Sequence, residues 1–262
     1  MPPTPSDTGA AELLANLSVG TVVLIALVLT LLRLVLMNFK TTTKPGVEET
    51  MPWARSIAEI LESLIIAGVL VFLIIRPFFV QAFYIPSESM EYTLMGHEAR
   101  TVTKMVNGTE QEVHEDAIHD HIFVNKLAFR IGDPQRGDII VFKAPPQADQ
   151  ENKPPKENIL IKRLIGLPGD KIELKIDPAG GRNAIYINDK PTNEPYIKEP
   201  MDLKGEYAVN APLTLKPGEY FVMGDNRNNS NDSRYWGTLE RSRVIGKASF
   251  IFFPFNRVRV LH

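Results

Sequence analysis

The sequence contains no cysteine among its 262 residues. Thiolate catalysis, thiolate metal sites and disulfide bonds are therefore excluded. A strong charge excess is also absent, because 29 Lys and Arg residues stand against 31 Asp and Glu residues and leave a formal net charge of -2. Nucleic acids and other polyanions bind basic surfaces, so the charge balance favours neither as a partner.

Charged residues are missing from Leu13 to Leu32, a stretch of about 20 residues. A helix of this length crosses the hydrocarbon layer of a bilayer, so we predict a transmembrane helix. A cleaved secretory signal is the alternative. It is disfavoured because the preceding tail has no Lys or Arg, and has Asp7 and Glu12 instead.

A second apolar segment begins near Ser56 and includes Ser63 to Ile75, which is free of charge. Glu59 and Glu62 lie about one turn apart at its start, and Arg76 follows its end. Carboxylates at one interface and an arginine that snorkels to the other are compatible with a second membrane span. A buried helix of a soluble protein is the alternative.

Positive charges set the predicted orientation. The tail before the first span has no Lys or Arg, whereas the stretch between the two uncharged runs has four such residues: Arg33, Lys40, Lys44 and Arg55. The linker is therefore expected in the cytoplasm, and everything after Arg76 on the far side of the membrane. The predicted parts are an external tail (1–12), a transmembrane helix (13–37), a cytoplasmic linker (38–56), a second transmembrane helix (57–76) and an exported domain (77–262).

The exported domain consists of short apolar or alternating runs, such as HIFVNKL and EYFVMGDN, separated by turn residues. Pro168-Gly169-Asp170 and Asn188-Asp189 are typical turn sequences. The pattern predicts a mainly β fold with antiparallel strands, preceded by the two transmembrane α-helices. Two polar stretches, 96–120 and 144–158, are expected to loop over the surface.

Ser87 and Ser89 follow a proline in the stretch FYIPSESMEYTL. No histidine adjoins them, but a serine nucleophile can use a neutral lysine as its base. Lys162 is the best candidate, because in a strand Leu160 and Leu164 share its face. Apolar burial can lower the ordinary lysine pKa of about 10.4 by roughly 3 units. Each signal alone is weak, since a lysine on an edge strand is commonly solvated and IPSES is also an ordinary turn sequence.

The segment MGDNRNNSNDSRYWG, residues 223–237, is dense in hydroxyl, carboxylate and guanidinium groups. An ordinary polar loop is one interpretation. An EF-hand calcium loop is excluded because, counting from Asp225, the third position is Arg227 and the sixth is Ser230, where an oxygen ligand and a glycine are required. A loop of this composition could instead orient a buried lysine.

Four motifs in this order, IPSESM, RGDIIVFKAP, IKRLIGLPGD and the segment 223–237, resemble the type I signal peptidases of bacteria. The similarity covers the second apolar segment and most of the chain after it. It implies a membrane-bound serine endopeptidase that needs no cofactor and no metal, with two spans before an external β domain.

The resemblance implies that Ser89 is the nucleophile and Lys162 the general base. The Ser87 hydroxyl and the Ser89 amide would bind the oxyanion, and Ser230 would hydrogen-bond the lysine ammonium. The implied supporting charge network comprises Arg163, Asp225, Arg227, Asp232 and Arg234.

The implied substrates are signal peptides of exported preproteins, cleaved after small residues as in Ala-X-Ala. Shallow substrate pockets would be lined by Phe83, Ile85 and Leu94. The implied location is the bacterial cytoplasmic (inner) membrane, as a multi-pass protein with its catalytic domain on the outer, periplasmic face. The lipid bilayer and a nearby protein translocation channel are expected partners, and nucleic acid is not.

Three positions depart from the family pattern. Glu88 stands between the two serines where glycine is common, Tyr92 where proline is usual, and Asn228 where aspartate is frequent. A carboxylate near Lys162 would stabilise the ammonium form and oppose its action as a base. We therefore expect Glu88 to point to solvent at the rim of the cleft.

Histidines leave two other interpretations open, a metal site and a Ser/His/Asp hydrolase. The candidates lie in or beside the acidic stretch 96–120, where solvated surface is expected: His97, His114, His119 and His121. An inactive homologue that only binds exported precursors and a soluble Ser/Lys self-cleaving regulator are the remaining alternatives.

Overall fold

Helices occupy the beginning of the chain and strands the remainder in the computed structural model, which describes residues 18–44, 47–75, 78–106, 109–148, 158–176, 183–202 and 211–261. The chain divides into two units, residues 1–80 and 81–262. The predicted external tail, the start of the first span, Arg76 and most of the stretch 144–158 lie outside the described residues.

Two long apolar helices dominate the first unit, and both are long and apolar enough to cross a membrane. Helix α1 (Val19–Met37) begins after Ser18, whose hydroxyl caps it by accepting from the Thr21 N–H at 3.1 Å. Helix α2 (Pro52–Val69) begins at a proline, which is pre-organised for the first helical position, and continues as the π-helix Leu70–Ile75. Between the helices lie two short paired strands: β1 (Lys40–Lys44) and β2 (Val47–Thr50).

Two pairs of charged side chains lie within these helices. Arg33 is in α1, within the predicted span 13–37, and its Nη2 lies 2.8 Å from Glu62 Oε2 in α2. Arg55, expected in the linker, is in α2 and pairs with Glu59 at 3.0 Å. Pairing lowers the cost of placing charges at membrane depth.

Short antiparallel strands make up the second unit, which confirms the predicted mainly β fold class with two N-terminal helices. The strands are β3 (Val80–Tyr84), β4 (Gly96–His97), β5 (Arg100–Val106), β6 (Thr109–Glu115), β7 (Ile118–His119), β8 (His121–Asn125), β9 (Ile139–Lys143), β10 (Ile159–Gly166), β11 (Lys171–Ile176), β12 (Asn183–Ile187), β13 (Lys190–Pro191), β14 (Leu213–Thr214), β15 (Glu219–Met223), β16 (Leu239–Glu240), β17 (Val244–Phe253) and β18 (Arg259–Val260). The short helices are α3 (Ala128–Ile131) and α4 (Ser233–Trp236).

The main sheet has eight strands in the order β16-β15-β10-β9-β17-β8-β3, with β18 paired to β17. A four-stranded sheet has the order β13-β12-β11-β14, and two smaller pairs join β4 to β7 and β5 to β6. Strand β10 lies in the middle of the main sheet. Its Lys162 is opposite Ile140 of β9, and its Arg163 is opposite both Ile139 of β9 and Met223 of β15.

The two predicted turns are present, but the stretch 96–120 differs from the expected surface loop. Gly169 has a φ of 90°, which glycine adopts readily. Asn188 and Asp189 join the paired strands β12 and β13, and their φ values of 51° and 66° lie in the left-handed region that tight hairpin turns require. The stretch 96–120 forms β4 to β7, of which the β5–β6 hairpin is largely exposed. The β4 residues Gly96 and His97 are buried because β4 pairs with β7.

Three clusters of buried apolar side chains form the core of the second unit. Leu94 and Ile122 belong to the first, Ile172 and Phe221 to the second, and Phe142 and Trp236 to the third. Strand β10 contributes to all three through Ile161, Ile165 and Leu164 respectively. The position of this strand is therefore fixed by packing from every part of the core.

Ile172 and Ile131 provide a matched test of this core, since the first is 0% and the second 80% exposed. Replacing Ile172 with alanine leaves a cavity, so we expect the free energy of unfolding to fall by about 2–5 kcal/mol. Ile131→Ala should change it by less than about 0.5 kcal/mol. Denaturant unfolding of the full chain in detergent, followed by circular dichroism, measures both. Equal losses would contradict the core assignment.

Candidate active site

A buried amine and a buried hydroxyl meet in the second unit. Lys162 Nζ donates a hydrogen bond to Ser89 Oγ at 2.7 Å, although the two residues are 73 positions apart in the sequence. Lys162 lies on β10, and Ser89 lies in the single-turn 3-10 helix Glu88–Met90. Their exposed fractions are 3% and 8%. The structure thus brings together the two side chains that the sequence singles out.

Burial lowers the pKa of Lys162 to about 8. The charged form loses hydration inside the protein, and this effect exceeds the opposing influence of Asp232 and Asp225, whose carboxylates raise the pKa. Arg234 lowers it further as a like charge. The neutral amine is therefore well populated near pH 8 and can accept a proton from the adjacent hydroxyl.

The apolar setting of Lys162 arises from the alternation of β10. Leu164 is fully buried in the third core cluster, and Leu160 packs against the same cluster. Arg163 points elsewhere: its Nε and Nη2 donate to the two carboxylate oxygens of Asp225 at 2.8 and 2.7 Å. The strand therefore separates a lysine that is desolvated from an arginine that is fully paired.

The turn that carries Ser89 is held against the segment 223–237. The Asn226 N–H donates to Ser89 O, and Asn226 Nδ2 donates to Glu88 O, both at 3.1 Å. Gly224 allows this approach, because a Cβ there would come within 2.3 Å of Ser89 O. Ser87 Oγ lies 3.3 Å from Ser89 Oγ.

Asp232 organises the segment 223–237 from within. Its Oδ2 accepts from the Gly224 N–H at 3.0 Å and from Ser230 Oγ at 2.7 Å, and its Oδ1 accepts from Arg234 Nε at 2.8 Å. Among the described residues, Ser230 therefore hydrogen-bonds Asp232 and not Lys162. The predicted contact between Ser230 and the lysine amine stays a prediction.

Arg227 and Arg163 are joined by residues that sequence reasoning missed. Arg227 makes a two-pronged contact with Glu194, with both distances at 2.7 Å. Tyr196 lies between the arginines, and its ring centroid is 4.0 Å from Arg163 and 6.0 Å from Arg227. Glu194 and Tyr196 belong to a segment without periodicity or motif, so no sequence signal indicated them.

A cleft of about 570 Å³ opens onto Ser89 and Lys162. Further walls come from residues 96–100 and from Asn229 and Asn231. A second cleft, of about 500 Å³, lies beside the four-stranded sheet and contains neither residue of the pair.

The three candidate pocket residues lie elsewhere in the second unit. Ile85 and Leu94 are buried in the first core cluster, and Phe83 packs against it. The described residues that line the cleft do not include them. Proximity in sequence suggested the lining, but these side chains point into the core, and their contact with substrate stays a prediction.

Glu88 lines the cleft and is partly exposed, but its carboxylate is paired and not free in solvent. Its side chain is 31% exposed, and its Oε1 lies 2.5 Å from Arg100 Nη1. Its other oxygen accepts from Asn229 Nδ2 at 3.1 Å. An ion pair thus compensates the charge beside Ser89. Asn228 contacts another segment of the same chain, since its Nδ2 donates to Pro200 O at 3.1 Å.

His97 is buried, at 4% exposed, contrary to the expectation of solvated surface. Its Nδ1 lies 3.0 Å from Glu98 O and its Nε2 3.7 Å from Glu91 Oε1, so both ring nitrogens face groups other than Ser89. The other three histidines are partly or largely exposed: His114, His119 and His121. Within the described ranges, no three acidic or histidine side chains are grouped to hold a metal ion.

Comparisons with known proteins show similarity to one family. A family model described as signal peptidase, peptidase S26, matches residues 57–253. A signal peptidase I of Leptolyngbya laminosa is 36% identical over 184 residues, which cover 70% of this chain and 74% of that protein. A probable signal peptidase I-1 of Synechocystis sp. is 38% identical over 207 residues, covering 79% of this chain and 87% of that protein. A crystal structure of a signal peptidase I from Enterococcus faecalis V583 is 34% identical and covers 45% of this chain and 99% of that chain, with a TM-score of 0.34.

Gly224→Ala tests the close approach at the serine turn. The added methyl group would meet Ser89 O and Ser230 Oγ at 2.3 Å, so the turn must shift. Displacing a reacting group by about 1 Å costs about 100-fold, and we expect kcat/KM for a synthetic signal-peptide substrate to fall by about 10- to 100-fold. Gly132→Ala is the control, because its nearest neighbour would be 3.4 Å away. Wild-type activity of Gly224→Ala would show that this contact does not position the turn.

Proposed function

The chain belongs to the signal peptidase family, peptidase S26, and we propose that Ser89 is its nucleophile and Lys162 its general base. Membership makes it a serine endopeptidase that cleaves signal peptides, as the motifs indicated. The observation that carries the proposed roles is the 2.7 Å contact between the buried Lys162 amine and Ser89 Oγ.

Acylation begins when neutral Lys162 accepts the Ser89 proton. Ser89 Oγ attacks the carbonyl carbon of the scissile peptide bond, and the carbonyl π electrons move onto oxygen to form a tetrahedral oxyanion. The intermediate collapses as the C–N bond breaks, and the Lys162 ammonium returns its proton to the leaving amine. The mature protein then leaves with a free N-terminus, and the signal peptide remains as an ester on Ser89.

The oxyanion needs donors that are in place before it forms. We assign this role to the Ser89 N–H and the Ser87 hydroxyl, which lies 3.3 Å from Ser89 Oγ and can turn toward the substrate. The contacts that fix the Ser89 turn against the segment 223–237 support this assignment. Removing one such donor typically costs about 2.7–4 kcal/mol of barrier.

Deacylation uses the same amine. Lys162 accepts a proton from water, the hydroxide oxygen attacks the ester carbon, and Ser89 leaves with the proton that Lys162 returns. The paired charges around the site support this role, because Asp225 and Asp232 are each bound by an arginine. Ser230 would steady the amine by turning from Asp232.

The substrate is proposed to arrive laterally in the membrane. Two apolar helices anchor the enzyme, and a signal peptide is itself an apolar segment held in the bilayer. We propose a multi-pass protein of the bacterial inner membrane with the catalytic unit on the periplasmic face, close to the translocation channel. Cleavage after Ala-X-Ala is proposed because the chain belongs to the signal peptidase family and carries the motifs of that family in order.

Replacing either member of the pair should abolish cleavage. Ser89→Ala removes the nucleophile and Lys162→Met removes the base, so we expect each to lower kcat by at least about 1000-fold. Lys143→Met, an exposed lysine on the adjacent strand, should retain activity. The measurement is cleavage of a model preprotein by the full chain in detergent. Turnover by Ser89→Ala at the wild-type rate would rule out the mechanism.

The pH dependence of kcat/KM follows from the lowered pKa of Lys162. Below a pH of about 8 the amine is protonated and cannot accept the Ser89 proton, whereas above it the base is free. Activity of the free enzyme should therefore rise with pH through about 8. Initial rates at low substrate concentration across this range test it, with circular dichroism to verify folding. A profile without a rise there would contradict the assignment of the base.

A further inference from the structure

Arg100 binds carboxylates on both sides of the nucleophile. Its Nη1 lies 2.5 Å from Glu88 Oε1, and its Nη2 lies 3.3 Å from both carboxylate oxygens of Glu91. In the sequence, Glu88 directly precedes Ser89, and Glu91 follows it after one intervening residue. A single guanidinium therefore spans the turn that carries Ser89.

The guanidinium is held from its third side by the β5–β6 hairpin. Arg100 is the first residue of β5 and lies opposite Glu115 of β6, whose Oε2 accepts from Arg100 Nε at 2.8 Å. A guanidinium presents its donors in a rigid planar fork, so three carboxylates fix its orientation. The base of the hairpin, rather than a free side chain, thus anchors the turn.

The burial of Glu91 makes its contact with Arg100 costly to break. Its side chain is 0% exposed, and its Oε2 also accepts from Lys198 Nζ at 3.0 Å. A buried carboxylate that loses a cationic partner keeps a charge that is only partly compensated. The segment around Glu91 would move to find other donors, and the adjoining Ser89 would move with it.

Further contacts of the turn come from the segment 223–237. Asn226 donates to the backbone carbonyls of Glu88 and Ser89, and Asn229 donates to the Glu88 carboxylate. Both asparagines belong to the segment 223–237, whereas Arg100 belongs to the hairpin. Arg100 therefore holds the turn from the hairpin, in addition to the contacts from the segment 223–237 and the hydrogen bond from Lys162.

We propose that Arg100 is a positioning residue for the nucleophile: it holds the Glu88–Met90 turn so that Ser89 Oγ meets Lys162 and the Ser89 N–H is directed into the cleft. This inference rests on the proposed roles of Ser89 and Lys162. Arg100 lines the same cleft but takes no part in proton transfer.

Arg100→Gln removes the positive charge that joins Glu88 to Glu91. Arg100→Lys keeps the charge but loses the planar guanidinium that contacts both carboxylates. Because a misplacement of about 1 Å costs about 100-fold, we expect either variant to lower kcat by about 10- to 100-fold and to change KM less than about threefold. Lys104→Gln is the matched control. Lys104 Nζ lies 2.6 Å from Glu115 Oε1 on the same hairpin, and this ion pair involves neither Glu88 nor Glu91. Its kcat should remain close to that of the wild type.

Coupling between the partners gives a second measurement. In a Glu88→Gln background the Arg100–Glu88 ion pair is already lost. The fold-decrease in kcat caused by Arg100→Gln should therefore be at least about five times smaller than in the wild type. The proposal is overturned by additive effects, by a wild-type kcat for Arg100→Lys, or by an equal loss in Lys104→Gln. Arg100→Lys decides the matter if Arg100→Gln does not fold. Ser89→Ala is assayed in parallel, because turnover by that variant would instead refute the proposed function.

Discussion

The buried contact between the Lys162 amine and the Ser89 hydroxyl is the constraint on which the rest of the second unit depends. An amine can accept a proton near neutral pH when burial among apolar side chains keeps water from its charged form. Strand β10 provides this burial because all three core clusters pack against it. The fold therefore provides both the lowered pKa of the proposed base and its position.

Desolvation alone would not suffice, because two carboxylates act on the same amine. Asp225 and Asp232 raise the pKa of Lys162, and each is bound by a guanidinium, from Arg163 and Arg234 respectively. The pairing limits the field that reaches the amine and satisfies groups that would be costly to bury unpaired. The same principle recurs at the serine turn, where the carboxylates of Glu88 and Glu91, on either side of Ser89 in the sequence, share Arg100.

Features that are local or periodic could be predicted from the sequence. Alternation along β10 indicated which side of the strand Lys162 shares with leucines, and hydrophobic length indicated both helices. Contacts between distant, irregular segments left no such pattern, so the partners Glu194 and Tyr196 could not be predicted. Composition misled at His97, because the acidic residues of 96–120 suggested surface, whereas the pairing of β4 with β7 buries the ring.

The lowered pKa of Lys162 also affects the stability of the folded protein. An unfolded chain holds this proton up to the ordinary lysine value of 10.5, whereas the folded chain releases it at about 8. Between these values the unfolded state binds more protons, so folding becomes more favourable as the solution is made more alkaline and less favourable as it returns toward neutrality. Near neutral pH the buried Lys162 on β10 therefore lowers the free energy of unfolding. Selection for robustness and selection for turnover pull this position in opposite directions.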